Sequence, residues 1–113
     1  MLNRDIEIIK VMVDRTERII SLTKNVNNKD YINNIDLQEL VCFNILQIGE
    51  LSNSLSDDFK RKHNKIPWKQ IYGMRNIIVH GYGSVEHDIV FNTSKNSIPD
   101  LNKKLNAIIK KDD

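Results

Sequence analysis

No apolar run in this sequence approaches the ~20 residues that a membrane-spanning helix needs, and charges interrupt every hydrophobic stretch. The opening Met1-Leu2-Asn3-Arg4-Asp5 has an acid in its first turn and no small-residue cleavage site, so it does not read as a signal peptide. There is one cysteine, which excludes an internal disulfide. Cys42 lies among Leu40, Val41 and Phe43, the setting of a buried thiol, and a cytoplasmic location is expected. A net charge of +2 is too small to argue for nucleic acid by itself. No pair of histidines and acids has metal-ligand spacing, so no metal and no cofactor is expected. Strand-like alternation and internal repeats are absent too.

What is present is helical periodicity. The 113 residues suit one domain, residues 1–113, with a single core. From Leu2 to Lys24, Ile6, Ile9, Val13 and Ile20 recur at spacings of three and four, widened by Ile8, Met12 and Ile19. Asn25-Val26-Asn27-Asn28 ends that helix. A longer pattern from Asp30 to Leu55 carries Leu37, Leu40, Val41, Phe43, Ile45, Ile48, Leu51 and Leu55 as a face that requires burial. Gly49 inside it would cost roughly 1 kcal/mol relative to alanine in an exposed helix, which suggests close approach of another backbone.

Lys60, Arg61, Lys62, His63 and Lys65 follow as a basic patch. Alone it reads as a solvated loop; beside a phosphate-handling site it would attract a polyanion. A third helix is expected from Pro67 to Gly81, anchored by Trp68 and Ile71 and continued by Met74, Ile77 and Ile78. Helices near Glu86–Thr93 and Asp100–Lys111 complete an all-α bundle of four to five helices, with a break at Ser97 and Pro99.

Polar chemistry gathers in Arg75-Asn76-Ile77-Ile78-Val79-His80-Gly81-Tyr82. On an ideal helix Asn76 and His80 stack at i,i+4, Arg75 flanks them and Tyr82 returns near Arg75. The set comprises a fixed cation, an imidazole that titrates near neutrality, an amide and a phenol. RNA brings its own nucleophile, the 2′-hydroxyl, so neither a protein nucleophile nor a metal is required. A histidine can move the proton, typically worth about 10²–10⁴-fold. An arginine can grip the phosphate and stabilise the charge that builds in the transition state. One such histidine per chain is few for two proton transfers; a two-fold dimer would supply a second.

The stretch matches Arg-x4-His-x-Tyr, and on it the chain resembles the HepT-like toxins of the HEPN group. The likeness extends through Arg4-Asp5, Ile48-Gly49-Glu50, Pro67-Trp68 and Gly73-Met74-Arg75-Asn76. It implies a helical homodimer whose signature helices line a shared cleft, with metal-independent endoribonuclease activity. Arg75 and His80 are then catalytic and Asn76 supports them. It further implies, as partner, a minimal nucleotidyltransferase antitoxin that transfers AMP to Tyr82. Glu86 stands where many members carry aspartate, a departure that bears on helix capping. Arg75 paired structurally to Glu50, and His80 as a core or capping histidine, are the bland readings. Tyr31 and Tyr72 read as packing residues, and His63 and His87 as surface ones. The alternatives in function are a non-catalytic HEPN module that binds nucleotide or a partner, and a helical scaffold.

Overall fold

A computed structural model describes residues 4–79 and 85–112. Its first helix, α1 (Arg4–Thr23), buries Ile6, Ile9, Met12, Val13 and Ile19 on one side. Two threonines share that side, and each satisfies its buried hydroxyl on its own helix. Thr16 donates to the Val13 carbonyl at 2.7 Å and Thr23 to the Ile19 carbonyl at 2.9 Å. Asn25 then adopts a left-handed φ of 61°, a conformation asparagine tolerates better than most residues, and the helix ends there.

Asparagine also interrupts the second expected helix. Instead of one run from Asp30 to Leu55 there are two, α2 (Asn28–Ile32) and α3 (Ile35–Asn53), split at Asn33-Asn34. The Asn27 side chain accepts from the Asp30 amide at the start of α2, and Asn34 accepts from the Leu37 amide at the start of α3. Buried Gln38 closes the gap, donating from Nε2 to the Tyr31 and Ile32 carbonyls, both at 2.9 Å. A glutamine on the apolar side thus serves the Ile32 carbonyl at the break and adds a second donor to the Tyr31 carbonyl, which the Asn34 amide also reaches at 3.2 Å.

Further along, residues 57–62 are helical rather than a loop: α4 (Asp57–Lys62) is capped by Ser56, whose hydroxyl accepts from the Phe59 amide. The Asp5 carboxylate accepts from both the Ser56 amide and its hydroxyl, and Arg4 donates to the Ser54 carbonyl at 3.0 Å. The Arg4-Asp5 opening is therefore a clasp that fixes the start of α1 to the α3–α4 corner.

The expected helix from Pro67 to Gly81 is also divided, into α5 (Trp68–Gly73) and α6 (Asn76–Val79). After these, α7 (His87–Lys95) and α8 (Ser97–Asp112) follow, joined at Asn96 and packed against one another. The final helix begins at Ser97, three residues earlier than expected. Pro99 falls in its first turn, where a missing amide hydrogen is harmless. Glu86 stands at the N-cap of α7 with no side-chain cap bond, so capping there is left to the backbone.

Helix α1 lies between α3 and α8, with α7 against α8 and α5 against α3. Polar pins cross the seams: Arg15 to Asn44 at 3.2 Å, Asn102 to Thr16 at 2.9 Å, and the Lys95 ammonium to the Thr23 carbonyl at 2.8 Å. Inside, Ile9, Met12, Ile19, Tyr31, Val41, Ile45, Ile48, Val90, Ile98 and Leu105 are fully or almost fully buried. The architecture is an all-α bundle built on the longer helices, with short helices at its corners. Leu40 and Phe43, expected inside, are 44% and 53% exposed. Helix α3 is buried on one side only, and these two lie on the other. Among the described residues no helix is long and apolar enough to cross a membrane.

Candidate active site

Arg75 sits in the two-residue turn between α5 and α6. The helix tightens as it reaches this point. The Met74 amide is shared between the Gln70 and Ile71 carbonyls, the Arg75 amide reaches Tyr72 O at 3.4 Å, and the Ile78 amide reaches Arg75 O at 3.1 Å. Those i→i+3 bonds replace the regular ladder, so the angles of an ideal helix do not carry through Arg75. Asn76, expected to share a face with His80 beside Arg75, opens α6 and is exposed. His80 and Tyr82 lie outside the described residues, so their placement relative to Arg75 is not described.

The turn rests on α3 at Gly49. A Cβ built there would stand 3.2 Å from Arg75 Cβ and 3.4 Å from the Tyr72 carbonyl oxygen. The close approach expected of this glycine is made by the backbone and first side-chain carbon of the arginine's own segment.

Three contacts then hold the guanidinium. Its Nε lies 3.3 Å from Glu50 Oε1. The N–H at that nitrogen is not aimed at the carboxylate, so this is an ion pair without an aligned hydrogen bond. Nη2 donates to the Tyr72 hydroxyl at 2.7 Å. The Tyr72 ring also lies beneath the cation, 4.6 Å from Cζ to the ring centroid. Arg75 is 24% exposed and Glu50 59%, so the ion pair is open to solvent on the acid's side and contributes about 0–1 kcal/mol. Such a pair is a weak reason for an arginine on structural grounds. It does fix direction. A guanidinium has five N–H groups, and among the described residues only one of them, on Nη2, finds an acceptor. Among the described residues, none accepts from Nη1.

Tyr72 is the residue that sequence reasoning missed, having been read as packing. The signal was its spacing: a residue three before Arg75 on a helix shares its side. Tyr31 does pack, fully buried with its ring 4.9 Å from that of Phe91, and burial drives its phenol pKa up. His87 is half-buried rather than on the surface, its ring 6.2 Å from that of Tyr31. His63 is half-buried as well, 4.5 Å from the Phe59 ring. Burial, then Lys62 and Lys111, hold its pKa below the ordinary histidine value. Cys42 is partly buried and its thiol is pushed up by that burial, which keeps it protonated and inert.

Comparison with known proteins gives this arrangement its context. A family profile described as ribonuclease HepT-like matches residues 12–108, a span that contains Gly49, Glu50, Tyr72 and Arg75. A relative from Caldanaerobacter subterraneus subsp. tengcongensis, named as an inferred RNase, is 31% identical over 89% of this chain and 90% of its own. One from Methanocaldococcus jannaschii, also named as an inferred RNase, is 34% identical over 81% of this chain and 79% of its own. A third, from Thermococcus cleftensis and named as an inferred ribonuclease HepT, is 30% identical over 88% of this chain and 90% of its own. No solved structure matches the chain. A profile that spans most of the bundle, with relatives aligned over about four-fifths or more of both chains at this identity, fixes the affiliation: the chain belongs to the HepT-like ribonuclease family.

Proposed function

We propose that this protein is the toxin of a HEPN and nucleotidyltransferase pair, a metal-independent endoribonuclease that uses Arg75 and His80. The observation that carries the reading is the state of Arg75. Its guanidinium is held by the Glu50 carboxylate and by the Tyr72 hydroxyl and ring, while no described residue accepts from its Nη1 group. A cation fixed on one side is pre-set for a phosphodiester on the other, where it meets the charge of a pentacoordinate phosphorus. In the reaction the 2′-oxygen bonds to phosphorus as His80 takes its proton. The bond from phosphorus to the 5′-oxygen breaks, and a second imidazole protonates that oxygen. The products are a 2′,3′-cyclic phosphate and a 5′-hydroxyl. Asn76 supports the reaction as a hydrogen-bond donor from the exposed start of α6.

The second imidazole comes from a second copy of the chain. Support lies on α3, where Leu40, Phe43, Gln47 and Glu50 recur at intervals of three and four and define one stripe. Leu40 and Phe43 on that stripe are exposed apolar side chains, and its far end is the partner of Arg75. A dimer closed along this stripe brings two Arg75 turns near one another. The cognate antitoxin is a minimal nucleotidyltransferase that attaches AMP to Tyr82, placing bulk and negative charge where the substrate phosphate belongs.

Two outcomes test this. The chain alone, in excess chelator, is expected to cut single-stranded RNA, and intact RNA would contradict the nuclease reading. Co-expression with the neighbouring nucleotidyltransferase is expected to add AMP to the tryptic peptide that contains Tyr82. An unmodified peptide would remove the switch while leaving the nuclease in place.

A further inference from the structure

The basic residues after α3 do not stand alone. Folding brings the C-terminal half of α8 beside them, and together they enclose a cavity of roughly 360 Å³. Lys62, His63 and Lys65 line it from the α4 end; Lys104 and Lys111 line it from α8. Among the described residues no acidic side chain lines it. Neighbouring charges are already neutralised, since Lys60 pairs with Asp57 and Arg61 with Asp58 along α4. Within the cavity only Lys104 has a described acidic partner, Asp100 at 3.0 Å. Converging ammonium groups of this kind repel one another in the free protein, and Lys62 and Lys111 add to burial, the larger cause, in lowering the basicity of His63. An anion would relieve that repulsion.

A second cavity, roughly 310 Å³, adjoins the first. Lys104 lines both, and the second extends to Met74, the residue immediately before Arg75. Its lining there combines apolar Ile71 and Met74 with the amide of Gln70, surfaces suited to a base or ribose more than to a phosphate. Asp100 stands at the junction, tied to Lys104.

We propose that the cavity between Lys62, Lys65, Lys104 and Lys111 is an RNA-strand site, seating backbone phosphates away from the scissile bond, with the adjoining cavity continuing it as far as Met74. The inference rests on the ribonuclease reading for its choice of ligand, and it extends that reading from one phosphate to a strand. The ligand is a chain of phosphodiesters, because one small anion would engage only part of a lysine set spread over two helices and a loop.

The test uses a labelled single-stranded 2′-deoxy oligonucleotide, which cannot be cut, so the result does not depend on catalysis. The intact protein is expected to bind it, with log affinity falling linearly in log salt. In a K62Q/K65Q/K111Q variant the slope is expected to shrink by about 2, three contacts at about 0.7 each on a single strand. Affinity near physiological salt is expected to fall about tenfold or more. In the unaltered protein, the His63 imidazole should titrate at higher pH with the oligonucleotide present, because bound phosphates cancel the field of Lys62 and Lys111. Unchanged slope and affinity in the variant, or a His63 titration indifferent to the oligonucleotide, would overturn the proposal. So would displacement of the oligonucleotide by inorganic phosphate at equal phosphate concentration, which would mark a small-anion site. If the oligonucleotide binds through these lysines while RNA is never cut, the strand site stands and the nuclease reading fails.

Discussion

Replacing Arg75 by alanine is expected to lower RNA cleavage at least about 10²–10³-fold, the usual effect of removing one preorganised donor from a developing oxyanion. Folding stability should change far less. The only acid paired with Arg75 among the described residues is Glu50, itself 59% exposed, and an ion pair open to water on one side adds about 0–1 kcal/mol. What truncation removes is the cation that Tyr72 and Glu50 hold in place. Lysine should not restore the activity, since an ammonium cannot donate to the Tyr72 hydroxyl and present a planar fork to phosphate at once. Gly49→Ala should lie between, because the added methyl meets Arg75 Cβ at 3.2 Å and displaces the turn. Initial rates with thermal melting on the same samples check this. Equal losses of rate and melting temperature would make Arg75 a structural residue.

His80→Ala is expected to lower cleavage by about 10²–10⁴-fold, the range of general acid–base catalysis, and to flatten the rate profile across the neutral range where imidazole titrates. A capping or core histidine predicts otherwise. Its loss would reduce melting temperature and activity together and leave the shape of the pH profile as it was. The profile therefore separates the two roles even if the variant is somewhat less stable. If each active centre draws imidazoles from two protomers, mixed dimers with one His80 retain only one of the two proton transfers. Their rate should fall well below half that of the unaltered dimer.

Helix content was legible in the sequence because α1 and α8 bury regular apolar stripes, and periodicity reads such stripes directly. Asparagine was the weak point. Asn25–Asn28 was read as a break, yet Asn33-Asn34 was passed over because apolar residues continue on both sides at helical spacing. Only the side-chain cap from Asn34 to the Leu37 amide reveals that one helix ends and another begins. The division of the signature helix had a similar cause. Gly73 and a pair of i→i+3 bonds end α5 without any proline to announce it. Leu40 and Phe43 were assigned inward because periodicity cannot tell an apolar side that is buried from one that stays exposed.

Of the candidate site, the pairing of Arg75 with Glu50 was legible in the sequence only as the structural reading of that arginine, and the structure shows the pair, open to solvent on the acid's side. Tyr72 was not, since an aromatic residue on an apolar helix is most often core. The lysines of α8 escaped notice for a different reason. Lys104 and Lys111 are exposed residues of a regular amphipathic helix, where lysine is ordinary. Their meeting with Lys62 and Lys65 depends on tertiary packing alone.

The chemistry itself is tested by the ends of the cut strand. With the purified chain, a defined RNA and excess chelator, the upstream fragment is expected to end in a 2′,3′-cyclic phosphate and the downstream fragment to begin with a 5′-hydroxyl. A 5′-phosphate beside a 3′-hydroxyl, formed only when divalent cation is restored, would mean that water rather than the ribose attacks, and would contradict the assignment of Arg75 and His80.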